Sequence, residues 1–148
     1  DNIDIPGSIT MTPSVDEGYV QEVLKEKVAN YLTGLGFHEI LTNSITNSAY
    51  YNEKELLTAV KMLNNLSADL NIMRPSMLET GLEAVAYNLN RKNNNLKFFE
   101  FGKTYSTPEA GKYDESERLC LYITGNANED NWKSKNNKAD FYMAKGIA

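Results

Sequence analysis

The sequence is poor in the residues that build cross-linked or metal-held scaffolds. Of its 148 residues one is cysteine, Cys120, and one is histidine, His38. A lone cysteine excludes an internal disulfide framework, and two such residues cannot make a zinc site of the usual Cys/His kind. No metal site is expected, and a reducing, cytoplasmic setting fits best. No apolar run approaches the ~18 residues of a membrane span. Residues 1–6 (DNIDIP) lack the basic and apolar regions of a secretory leader, so no membrane association is expected. Arginine is scarce as well: Arg74, Arg91 and Arg118 are the only three, and 15 Lys plus Arg stand against 20 Asp plus Glu, a net charge of −5. Nucleic-acid affinity comes mainly from cationic neutralisation of phosphates, so this balance argues against a surface that itself grips RNA or DNA.

What is present suits an ordinary folded domain. Apolar residues make up 41% and charged residues 24%, and a chain of this length can bury roughly two thirds of the surface its unfolded form exposes. Asparagine is in excess and clusters at 93–95 and 126–137, where it suits loops. No repeat or low-complexity linker divides the chain. The expectation is one domain over residues 1–148, with 1–12 leading in from a preceding domain. The stretch Asp140–Ala148 starts a helix that the sequence cuts short, so the chain reads as an excerpt of a longer one.

Thr12-Pro13-Ser14 with Asp16 and Glu17 carries the signals of a helix start. Val20, Leu24, Val28, Tyr31 and Leu35 then recur at helical spacing, and Gly34 and Gly36 end the run. Val15, Tyr19 and Val23 add a second row, so the helix should touch more than one neighbour. Phe37–Thr46 reads as a strand, 48–55 as a short helix and Val60–Leu63 as another strand. Asn64–Asn71 reads as a loop. Pro75 should open a helix in which Met77, Leu78, Leu82, Val85, Ala86 and Leu89 share one face, ending near Asn90-Arg91. Leu96–Tyr105 (LKFFEFGKTY) is the strongest strand, aromatic on both faces and therefore central. Arg118–Thr124 is its expected antiparallel partner across a polar loop.

Catalytic motifs are hard to find. His38 has no nearby nucleophile to activate. Cys120 sits between leucines, where a thiol behaves as a small hydrophobe. Neither phosphate-loop pattern occurs, and Asp114, Glu115 and Glu117 read as a solvated charge run in a loop. Two polar residues stand out. Arg74 precedes a helix start, where an anion or a carboxylate could sit, although pairing with Glu79 or capping a carbonyl would serve equally. Glu100 lies in the middle of an apolar strand and, once buried, needs a donor, with Arg91 or Arg74 in view.

Several stretches, in order, resemble the catalytic-like core domain of the bacterial phenylalanyl-tRNA synthetase beta subunit. They are Asp1-Asn2-Ile3 with Ile5-Pro6, Gly36-Phe37-His38-Glu39-Ile40, and Asn64-Asn65-Leu66-Ser67 leading into Met73-Arg74-Pro75-Ser76-Met77-Leu78. Gly81-Leu82, Asn88-Leu89-Asn90-Arg91, Phe99-Glu100-Phe101-Gly102-Lys103, Ile123-Thr124-Gly125 and Asp140-Phe141 with Lys145-Gly146 continue the match to the end of the chain. Asn65 departs from it, where the family usually has proline.

The resemblance implies an α+β fold like the class II aminoacyl-tRNA synthetase core, an antiparallel sheet flanked by helices, here truncated. It also implies a role in a phenylalanine–tRNA ligase. In the catalytic alpha subunit the strand equivalent to β-strand 98–105 ends in tyrosine followed by arginine; here Ser106 follows Tyr105 and offers no charge to phosphate. Leu121-Tyr122-Ile123-Thr124 stands where that subunit has glutamine and glutamate, and the class II proline is missing from Ile40–Thr46. The resemblance thus implies no catalytic residue in this copy. It implies a scaffold that pairs with the alpha subunit in an (αβ)2 enzyme, with Tyr19, Val20, Leu24, Val28, Tyr31 and Leu35 at a subunit interface. Arg74, Asn90, Arg91 and Glu100 would hold the fold, and Tyr105, Ser106, Tyr122 and Thr124 would mark a relict pocket. ATP and magnesium would belong to the parent enzyme and not to this segment, with tRNA bound through other domains. The alternatives are a domain that itself binds ATP and adenylates a substrate, and one that senses a small molecule in a cavity lined by Arg74 and Glu100.

Overall fold

The computed structural model describes residues 7, 8, 10–12, 18–65, 67–128, 132, 133 and 137–147. The expected helix start at 13–17, with Val15, and the first six residues lie outside these. Helix α1 is described from Tyr19–Gly34 and closes as the glycines require. Phe37 N–H reaches back to the Leu32 carbonyl at 3.0 Å and Gly36 N–H to Thr33 at 3.0 Å, with Gly36 at φ 83°. This is the αL cap that favours glycine, and its usual apolar contact is present, since Leu32 and Phe37 share one buried cluster.

The expected strand Phe37–Thr46 is instead two short ones. Strand β1 (His38–Glu39) runs parallel to β4 (Leu96–Glu109), and β2 (Ile45–Thr46) pairs antiparallel with β3 (Ile72–Met73) in a separate two-stranded ribbon. Between them Thr42 turns inward to serve Glu100, which takes the backbone out of the first sheet. The expected helix 48–55 is likewise broken, into a 3-10 turn at Ser48–Tyr50 and helix α2 at Glu53–Leu56, which begins with an Asn52–Glu55 capping box. Val60–Leu63 makes only a bridge from Lys61 to Ile72.

Helix α3 (Leu78–Leu89) starts three residues after Pro75, with Ser76 Oγ accepting from Leu78 N–H at 3.0 Å. Its inward face differs from the expected one. Met77, Thr80, Gly81 and Val85 are buried, whereas Leu78, Leu82, Ala86 and Leu89 are exposed. Gly81 decides this, because a Cβ there would overlap the Tyr122 ring; a leucine could not take its place.

Strand β4 is central, as its aromatic content implies, lying between β1 and the strand that follows it in the chain. Strand β5 (Lys112–Thr124) is longer than expected and returns through a tight turn with Gly111 at φ 83°. The acidic residues 114–117 are therefore strand and not loop: Glu115 stands opposite Tyr105 and Glu117 opposite Lys103. Alternation divides the sheet cleanly. Leu96, Phe98 and Tyr122 pack against Val85 of α3 on one face, while Phe99, with Phe101, Leu121 and Ile123, packs against Leu32, Val28 and Ala29 of α1 on the other. Helix α4 (Phe141–Ile147) adds Ile147 to the second face.

Candidate functional site

Among the described residues, the largest side chains that are almost wholly buried are Arg74, Phe99 and Glu100. Arg74 leaves β3 with its backbone pinned on both sides: its N–H reaches the Ser44 carbonyl at 2.9 Å, and its own carbonyl accepts from Tyr105 N–H at 3.0 Å. Nη1 meets Glu100 Oε1 at 3.0 Å, and Nε donates to the Lys103 carbonyl at 2.8 Å. Glu100 takes two further donors from Thr42, the backbone N–H at 3.1 Å and the hydroxyl at 2.8 Å. Arg74 Nη1 also reaches that hydroxyl at 2.8 Å, and Thr80 Oγ1 lies 3.0 Å from it. A buried charge is tolerable only when paired and hydrogen-bonded, and here both ions are.

Of the two arginines in view from the sequence, Arg74 is the partner. Arg91 is exposed, stacks 3.3 Å above the Tyr87 ring and donates to the Tyr87 carbonyl at 3.0 Å; Asn90 is the exposed cap residue of α3. Neither reaches the core, so the fold-holding group narrows to Arg74 and Glu100, joined by Thr42 and Thr80. Glu79, the other carboxylate considered for Arg74, accepts instead from the Tyr51 hydroxyl at 3.0 Å. Burial, with Glu79 second, pushes the Tyr51 phenol up. Sequence reasoning missed both threonines.

The four residues of the expected relict pocket are not brought together. Tyr122 is buried on the α3 face, donates to the Met77 carbonyl at 2.6 Å and has its phenol pushed up by burial. Tyr105 is on the opposite face by strand alternation and stands across from Glu115, with Ser106 across from Asp114. Thr124 closes the far end of the sheet, opposite Leu96, and donates to the Asn94 carbonyl at 2.8 Å. Nine residue steps along the strand separate Leu96 from Tyr105, about 30 Å. Carboxylates facing Tyr105 and Ser106 disfavour a phosphate there.

Two clefts stand out among the described residues. One, of about 430 Å³, lies between α1 and the hairpin and is lined by Leu24, Val28, Phe101 and Leu119, with Lys25 and Glu117 paired at its rim at 3.3 Å. The other, of about 710 Å³, lies between α3 and the β2 ribbon and is lined by Thr42, Tyr50, Asp69, Thr80, Glu83 and Tyr87 among others. Neither is lined by Arg74 or Glu100. Among the described residues no group of three or more His, Cys, Asp or Glu could hold a metal, and no helix is long and apolar enough to cross a membrane. His38 is exposed on β1, and Cys120 is half-buried opposite Glu100.

The expected interface row lies almost entirely outside the local core. Tyr19, Val20, Leu24, Tyr31 and Leu35 are exposed, Leu24 by 60%; only Val28 packs against the sheet. The residue that anchors α1 is Leu32, 2% exposed and not in the expected row.

Comparison with known proteins places this geometry. The chain is 39% identical over 97% of its length to a phenylalanine–tRNA ligase beta subunit of Bacteroides thetaiotaomicron and 40% identical, over the same share, to one of Bacteroides fragilis. It spans about a fifth of each, 19%. Among solved structures it resembles an ATP phosphoribosyltransferase regulatory subunit/histidyl-tRNA synthetase from Bacillus halodurans, with a TM-score of 0.60 at 17% identity over 84% of this chain and 34% of that one. A histidine–tRNA ligase subunit from Alicyclobacillus acidocaldarius gives 0.56 at 11% identity, over 88% and 38%. These likenesses give the fold, a class II synthetase-like α+β domain. A family model for the phenylalanyl tRNA synthetase beta chain CLM domain matches residues 5–148, and with relatives this similar the chain belongs to that family.

Proposed function

We propose that this segment is a non-catalytic scaffold within the beta subunit of a phenylalanine–tRNA ligase, holding the catalytic alpha subunit through the exposed face of α1. The observation that carries the reading is the Arg74–Glu100 pair: the most deeply buried charges among the described residues are engaged with each other, with Thr42 and with the Lys103 carbonyl. Both side chains are buried away from solvent, and Tyr122 fills the neighbouring space against Gly81. The apolar row of α1 supports the second half of the reading. Four large exposed side chains on the 16-residue helix, with Leu35 at its C-cap, form a surface that a partner helix would cover.

In this reading ATP and magnesium act at the alpha subunit, tRNA is held by other domains, two αβ pairs assemble in an (αβ)2 enzyme, and the setting is cytoplasmic. The test is isothermal titration of the 148-residue chain with ATP and with phenylalanine, each with and without magnesium. The reading expects no saturable heat. Binding in the micromolar range would overturn it in favour of a domain that itself adenylates or senses a small molecule.

A further inference from the structure

We draw no further inference here: the strongest candidate, the row of exposed leucines Leu78, Leu82 and Leu89 along α3, is an unpartnered apolar face, and nothing in the structure shows what covers it.

Discussion

The guanidinium of Arg74 lies directly over the backbone of Gly102, in the space a Cβ at that position would occupy. Strand β4 can therefore offer Glu100 to Arg74 only because the next residue on the same face has no side chain. Gly102→Ala should destabilise the domain by about 3 kcal/mol or more, combining overpacking with disturbance of a buried ion pair. Gly34→Ala, where a Cβ meets nothing, is the control and should be neutral or mildly stabilising. Urea midpoints of the two variants decide the matter.

The pair itself should behave non-additively. Glu100→Gln leaves the Arg74 charge buried without its counter-ion and should cost about 3–5 kcal/mol, as should Arg74→Met in the converse sense. The double variant, Arg74→Met with Glu100→Gln, should lose clearly less than the sum of the two, because neither ion is then stranded. A double-mutant cycle by chemical denaturation measures the coupling; additive losses would mean that the two side chains hold the fold independently.

Gly81 and Tyr122 form a second matched pair on the same face of the sheet. Gly81→Ala should cost about 1–3 kcal/mol through overpacking. The loss should shrink in a Tyr122→Leu background, where the colliding ring is gone, even though that background itself loses the hydrogen bond from the Tyr122 hydroxyl to the Met77 carbonyl.

Alkaline pH should loosen the fold in a defined window. An unfolded chain ionises its tyrosines near pH 10, whereas Tyr51 and Tyr122 keep their protons above it because burial disfavours the phenolate. From about pH 10 upward the folded state therefore binds more protons than the unfolded one, and stability falls as pH rises; below that window these groups contribute no slope. Urea midpoints between pH 8 and 11 should be flat and then drop, and Tyr51→Phe should make the drop shallower.

How much of this was legible in the sequence depended on whether a local pattern had one geometric solution. The aromatic run Leu96–Tyr105 has one, a central strand, because both of its faces are apolar. The Gly34-Leu35-Gly36 stop also has one. Helix α1 had two, since its 3.6-residue period shows an apolar row without saying whether that row faces the sheet or the solvent. Leu32 turned out to hold the sheet, while Val20 and Leu24 stay exposed, Leu24 at the edge of the cleft beside the hairpin. In α3 the inward residue at the closest approach is glycine, and no apolar pattern registers a glycine as core. Residues 114–117 look like solvent-exposed loop because they are acidic, yet cross-strand partners such as Lys103, 2.8 Å from Glu115, make them strand. The buried pair was legible as a need, a carboxylate among phenylalanines, but which arginine answered it depended on a backbone path that only the fold supplies. The relict-pocket residues were named from a resemblance along the chain, which does not say which face of a sheet each one takes: Tyr105 and Tyr122 fall on opposite faces.

The scaffold account stands or falls on the exposed row of α1. Val20→Asp with Leu24→Asp alters two side chains that are 75% and 60% exposed, so the fold should keep its thermal midpoint. In the full-length beta chain co-expressed with the alpha subunit, the account predicts that the double variant loses the alpha subunit on affinity purification while the wild type retains it. A folded double variant that still carries a stoichiometric alpha subunit would contradict the account.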